Sequence, residues 1–365
     1  MAARKRLSIG LAVVGALILV AAIGFFTVAP GKVEQSQNKV APVPLGITPA
    51  ARALQSKLDV ADLHADSLLW KRDLLERSDY GHVDLPRLIE GHYALQVFSS
   101  VTKSPAGQNY ESNPADSDTI TSLAVVNLQP PRTWTSLLQR SLWHAQKLKN
   151  FAERSGGRLR LIATPAEFDR LLADRQAGDP VVGGLLSIEG LQDIEGQLAN
   201  LDVLYAAGFR MAGLAHFFDN EVAGSMHGVN KGGLSPLGRQ AVRRMETLGM
   251  IVDVAHASHA AVAEVLAMAS RPVVSSHGGV QATCKVNRNL TDDEVRGVAK
   301  TGGVVGIDHV GLGSDFDGAT TTGFDASQVA AVTQALLDAG FSQPKIAKVM
   351  GCNVLRLLRG GIAPQ

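Results

Sequence analysis

The chain is expected to fold as an α/β barrel of the TIM-type (β/α)8 class behind an N-terminal transmembrane helix. Three observations predict this. Short, nearly continuous apolar runs alternate with amphipathic stretches from residue 50 onward, as parallel strands buried on both faces require. Eight such runs occur: Leu58–Asp66, Ala94–Ser99, Gly184–Glu189, Phe209–His216, Ile251–His256, Pro272–His277, Gly303–Ile307 and His309–Asp315. His64, His216, His256 and His277, with Asp66, Glu189 and Asp315, stand at the C-terminal ends of these runs, which share one rim in a parallel barrel.

The N-terminal element comes first. Arg4, Lys5 and Arg6 precede an uncharged run from Ile9 to Val28, about the length that crosses a ~30 Å hydrocarbon core as a helix. The exit, Thr27-Val28-Ala29 before Pro30, is a poor cleavage context, which favours an uncleaved anchor over a cleaved signal or a core helix. The basic flank stays cytoplasmic, so the bulk of the chain is expected on the extracytoplasmic, periplasmic or extracellular, side. Residues 1–29 are read as the anchor, 30–49, with four prolines, as a linker, and 50–365 as the barrel domain.

Between the strands, Ser235–Leu248, Ser258–Ala269 and Leu290–Lys300 read as helices, the last opening on a Thr291/Glu294 capping box. The connection Ser100–Gly183 is oversized. It holds a polar loop, Lys103–Pro131, open to reading as a solvated insertion or an active-site lid, then a helix with Trp134, Leu138, Leu142 and Leu148 on one stripe.

Composition excludes other classes. Lys+Arg 35 against Asp+Glu 34 leaves a net charge of +1, with no basic excess for nucleic acid. Two cysteines, Cys284 and Cys352, provide neither a disulfide framework nor a thiolate metal site. In Asp62-Leu63-His64-Ala65-Asp66, His64 and Asp66 share one strand face, and imidazole with carboxylate suits zinc. His82, His92, His144, His227 and His259 lie on expected loops or helices and read as structural or solvent-facing.

On these motifs the chain resembles the membrane dipeptidase (renal dipeptidase-like) family of zinc peptidases, in the amidohydrolase superfamily. Besides residues 62–66, the resemblance rests on Gly81–Leu88, Ser187–Gly190, Gly213–Asn220, Val252–Ser258, Ser275–His277, Asn287–Asp292 and Gly313–Gly318. It implies two Zn2+ per chain, one held by His64 and Asp66, the other by His256 and His277, with Glu189 bridging both. It further implies dipeptide hydrolysis by a metal-bridging hydroxide, with tolerance for a D-residue at the C-terminal position. His216 would bind substrate and stabilise the oxyanion, Arg288 would grip the substrate carboxylate, and Asp315 would shuttle the proton. The partners implied are the dipeptide and, through the anchor, the membrane; a homodimer is compatible with it.

The chain departs from the family chiefly in one place. Gly302–Ile307 runs into His309–Asp315 with only Asp308 between, whereas parallel neighbours need a crossover of about a dozen residues. The barrel is therefore expected to be imperfect: the segments fuse into one long strand, or one leaves the sheet. A catalytically impaired homologue retaining partial metal binding is the alternative function. A smaller departure is Cys352, where the family usually has glycine; a positive φ there would be strained.

Overall fold

A computed structural model of the chain describes residues 2–304 and 309–362. Six parallel strands, β1 (Val60–Ala65), β2 (Tyr93–Val101), β3 (Val182–Glu189), β4 (Phe209–Gly213), β5 (Ile251–Asp253) and β6 (Val273–Val274), pair in sequence order. The sheet is the curled parallel sheet of a TIM-type barrel, with the short strand Leu159–Leu161 added beside β3. Every residue of β1, β2 and β3 is buried, which is why their sequences read as nearly continuous apolar runs.

Alternation along the strands separates two layers. Ala61 and Leu63 of β1 and Leu95 and Val97 of β2 face outward. They pack with Phe168 and Leu171 of the helix Pro165–Gln176 and with Val354 and Leu358 of the helix Asn353–Gly361. The same period of two turns Asp62 and His64 to the opposite side, into the barrel. Caps fix where the outer helices begin. Ser235, Ser258 and Thr291 each accept a backbone N–H at the helix starts Pro236, His259 and Asp292, and the Thr291/Glu294 capping box is formed.

The ring returns to β1 through one segment. Val304 bridges Val274 of β6 in parallel, while Leu312 and Phe316 bridge Asp62 and Ala65 of β1 in parallel. Leu63 N donates to Leu312 O at 2.9 Å and Asp66 N to Phe316 O at 2.9 Å. Gly313 sits so close to the end of β6 that an added Cβ would lie 1.8 Å from the Ser276 carbonyl oxygen. The expected eighth strand His309–Asp315 is thus a bridged segment lying against both β6 and β1. Most of the expected seventh strand, Gly303–Ile307, and the junction at Asp308 lie outside the described residues.

Several expectations are corrected. The strands read to His216, His256 and His277 end three residues earlier, at Gly213, Asp253 and Val274, so these side chains stand on the loops just beyond. The apolar pattern runs on, but His256 adopts φ 65°, which no strand accommodates. Trp134 does not share the stripe of the long helix Leu137–Arg154; the buried side is Ser141, His144, Ala145, Leu148 and Phe151, and Trp134 is half-exposed with Nε1 donating to Gln129 O. Cys352 has an ordinary helical φ of −55°, so no strain arises there. The glycine demanded locally is Gly351, where a Cβ would lie 1.8 Å from the Asp59 carbonyl oxygen.

The N-terminal helix runs from Ala2 to Gln37 with Pro30 inside it, and Leu11–Gln37 is long and apolar enough to cross a membrane. Residues 30–49, expected as a linker, are helical to Gln37 and then lie along the barrel, where Lys39–Val40 pairs in parallel with Thr321–Thr322.

Candidate metal centre

The parallel sheet delivers the expected ligands to one rim. His64 comes from β1 and Asp66 from its end, while Glu189 is the last residue of β3. His216, His256 and His277 follow β4, β5 and β6 at the same offset. Glu189 Oε1 is the point on which they converge: His256 Nε2 at 3.1 Å, His277 Nε2 at 3.3 Å, His216 Nε2 at 3.5 Å and His64 Nε2 at 3.7 Å. His256 Nε2 and His277 Nε2 are 2.9 Å apart, and His64 Nε2 lies 3.3 Å from Asp66 Oδ1 and 3.9 Å from Asp315 Oδ1. Two donors about 2.0–2.1 Å from a tetrahedral ion sit about 3.3 Å from each other, so these spacings are those of ligands around a metal.

Burial sharpens the point. His64 Nδ1 and Nε2, Asp66 Oδ1, Glu189 Oε2 and His256 Nδ1 are all buried without a hydrogen-bond partner. Leaving buried polar atoms unpaired costs about 1–3 kcal/mol each, more for charged ones. Burial raises the Glu189 carboxyl, though His64 and Arg288 oppose it; burial and then Glu189 raise Asp66. Burial would lower His64, but Asp66 and Glu189 outweigh it and push it up to about 10. Burial holds His256 and His277 well below the usual imidazole range, helped next by Arg288 at His256 and by His64 and then Arg288 at His277. The acids therefore call for a cation at their centre, while two neighbouring imidazoles keep neutral lone pairs to offer one. Imidazole and carboxylate donors of this kind suit zinc.

The surroundings orient these groups. Asp253 accepts from Ser276 N at 3.0 Å and from Ser276 Oγ, which lies 2.7 Å from His277 Nδ1; the chain Asp253–Ser276–His277 fixes the ring with Nε2 turned inward. Asp62 accepts from Ser314 N at 2.9 Å and from His64 N at 3.3 Å, tying the closing segment to β1 beside the ligands. His256 and Asp315 are held at φ 65° and 54°, conformations costing of order 1–3 kcal/mol in non-glycine residues. Their carbonyls are fastened: Met226 N donates to His256 O at 2.8 Å, and Gly318 N to Asp315 O at 3.2 Å.

Above the centre lies a cavity of about 720 Å³. Arg288 and Asp315 line it with the ligands. Arg288 is half-buried, with Nη2 donating to His277 O at 3.3 Å, and desolvation lowers its pKa against Asp315, Glu189 and Asp253. The Asp315 side chain keeps 41% of its surface open, yet desolvation by the cleft walls and the nearby Asp66 and Glu189 raise its pKa. Burial lowers His216 to about 4; its Nδ1 lies 3.2 Å from the Lys103 carbonyl.

Some of the site escapes sequence reasoning. Ser104, Pro105 and Gly107–Tyr110 line the cleft, so the polar loop of the long connection is a wall of the site. Phe217 lines it too, stacked on His227, which is buried within 5.5 Å of the His256 ring and does not face solvent. Asp253 was legible only as part of a motif, since nothing in Val252-Asp253-Val254 announces a partner for His277.

With the site in view, relatives can be compared. The sequence profile described as membrane dipeptidase (peptidase family M19) matches residues 49–307 and 304–361. The chain belongs to the membrane dipeptidase family. It is accordingly a dipeptidase-type metallopeptidase. The match falls into two pieces that meet at 304–307, where the strand connection is short. The dipeptidase tcpJ of Claviceps purpurea is 26% identical over 367 residues, covering 90% of this chain and 81% of that one. The dipeptidase verJ of Clonostachys rogersoniana is 28% identical over 312 residues, 76% of this chain and 75% of that one. Among solved structures, the probable dipeptidase PvdM from Pseudomonas aeruginosa superposes with a TM-score of 0.71 at 21% identity, covering 87% of this chain and 99% of that one. A metallo peptidase from Rhodobacter sphaeroides, liganded with a phosphinate mimic of the dipeptide L-Ala-D-Ala, gives 0.65 at 23% identity, over 83% and 99%. These two likenesses establish the fold.

Proposed function

We propose that this membrane dipeptidase family member hydrolyses dipeptides with two zinc ions, His64 and Asp66 holding one, His256 and His277 the other, and Glu189 bridging. The observation that carries the reading is the convergence of three imidazole nitrogens and two carboxylates, several with orphaned atoms, beneath a cleft that also contains a half-buried arginine. Bound zinc would supply a nucleophile from water at neutral pH and polarise the scissile carbonyl.

The chain's own residues do the rest. Arg288 offers a guanidinium fork to the substrate's C-terminal carboxylate. Its place in the cleft beside the ligands supports a reading in which the substrates are dipeptides and a D-configured second residue is acceptable. His216, whose Nδ1 donates to the Lys103 carbonyl, would bind the substrate beside the centre and, once its Nε2 has taken a proton from solvent, donate that N–H to the carbonyl oxygen as negative charge develops there. Asp315, at the open side of the cleft, carries the proton to the leaving amine. The N-terminal helix anchors the chain in the membrane with the barrel on the extracytoplasmic side, as Arg4, Lys5 and Arg6 before the apolar run favour.

One observation favours a second reading, a catalytically impaired homologue: the family match breaks at the short 304–307 junction. The parallel bridges on both sides of that junction speak against it. The test is zinc per chain and dipeptide turnover by the full chain in detergent, beside Glu189→Gln. Two zinc ions and turnover lost in the variant are expected; a wild type that binds zinc and leaves dipeptides intact would establish the impaired homologue.

A further inference from the structure

The N-terminal helix does not stop at the membrane. Val33 and Gln37, on its last two turns, line the same cavity as Asp66, Glu189 and Arg288, together with Leu69, Trp70, Gly318, Ala319 and Thr320. Glu34, between them, is turned the other way and is 1% exposed. It is hydrogen-bonded to Arg72, whose guanidinium also binds Asp317 and the Val83 carbonyl. Asp317 is wholly buried and accepts from His82 N at 2.7 Å and Ser67 Oγ at 2.6 Å, while Trp70 Nε1 donates to its carbonyl at 2.7 Å. A buried arginine between two carboxylates is stable only with both in place, because removing one partner uncompensates the others.

The docking continues past the helix. Ala319 N donates to Asn38 Oδ1 at 2.9 Å, Lys39 and Val40 pair with Thr321 and Thr322, and His82 Nε2 lies 3.1 Å from Lys39 O. Every one of these contacts is made to the loop that carries Asp315, or to residues bound to that loop.

We propose that the end of the N-terminal helix is a specificity-determining wall of the cleft: Val33 and Gln37 limit the size of the substrate side chain admitted, and Glu34 holds them there through Arg72 and Asp317. The wall deepens the dipeptidase reading and rests on it for its substrate. Such a wall makes the span and the active site one rigid unit, so that substrate enters beside the membrane-proximal end of the helix.

The test uses the full chain in detergent, loaded with zinc. Val33→Trp adds bulk to the wall, and the ratio of kcat/KM for Phe-Phe over Ala-Ala is expected to fall at least tenfold. Glu34→Ala frees the wall: that ratio is expected to rise, and trypsin is expected to cut after Lys32 and Lys39 at least tenfold faster, since a docked helix and a paired strand resist cleavage. A ratio within twofold of wild type in both variants overturns the proposal, as do equal tryptic rates. If the wild type hydrolyses neither dipeptide, the dipeptidase reading is what fails. The docked wall is then decided by the tryptic rates alone, protection in the wild type upholding it and equal rates overturning it.

Discussion

Ser276 contributes no metal ligand, yet it bridges Asp253 to His277 Nδ1 and so decides which nitrogen of His277 faces inward. Removing such an outer partner typically lowers metal affinity or activity by about 10–100-fold. Ser276→Ala is therefore expected to weaken the zinc site that contains His277 by that factor, measured by competition with a chromophoric chelator; unchanged affinity would detach Ser276 from the centre. Arg288 is a different kind of residue, since the work proposed for it is done on substrate. Loss of a charged hydrogen bond of about 1.5–3 kcal/mol corresponds to roughly 10–150-fold. Arg288→Ala should raise KM for a dipeptide within that range while leaving zinc per chain at the wild-type value. Arg288→Lys should recover only part, because an ammonium cannot match the carboxylate fork to fork. A KM equal to wild type in Arg288→Ala would remove the carboxylate from Arg288.

At the scale of elements, the sequence pattern located strand centres and missed strand ends, for a physical reason. Leu214-Ala215 and Val254-Ala255 prolong the apolar runs of β4 and β5 because the loops beyond them are buried as well. Burial is what an apolar pattern reports; the left-handed turn at His256 that ends the strand leaves no mark in it. The candidate ligand set was legible because each of its members is a chemically unusual residue at the end of such a run. The cleft wall from Ser104 to Tyr110 was not, since a polar loop has no period from which its packing can be read. The helix Asp292–Lys300 was legible through its cap, and its start adds a pH dependence. His259 Nδ1 lies 2.8 Å from Glu294 Oε1, and that hydrogen bond raises the His259 pKa against burial. A raised imidazole pKa stabilises the fold fully below about 6.5, the unfolded value, and the gain is lost as pH rises through the folded pKa. The Tm difference between wild type and His259→Ala should be largest near pH 6 and shrink steadily toward pH 9. A difference independent of pH would show that His259 acts by packing alone.

For the whole molecule, the question is whether one segment can do the work of two strands. Val304 meets β6 and Leu312 meets β1, with eight steps of chain between them. Fully extended, eight residues reach about 26–29 Å, while two inter-strand spacings take only about 10 Å. The length of chain between Val304 and Leu312 is thus ample to reach from one neighbour to the other. Gly313 makes this closure specific, because its missing Cβ is what allows the segment to press against the Ser276 carbonyl, next to the proposed ligand His277. Gly313→Ala should cost about 1–3 kcal/mol or more, as overpacking does, and lower Tm by several degrees. Gly360→Ala, where a Cβ would meet nothing within 4 Å on a helix, is the control and should leave Tm equal or slightly higher. A strand supplied by a family-like loop and helix after Ile307 would have to displace that contact to enter the ring. The expected result is that such an insertion leaves zinc per chain and kcat/KM no better than in the chain as it stands. A large gain in both on insertion would show instead that the ring closed by Gly313 is a defect, and that the ligands it brings together are held in the wrong place.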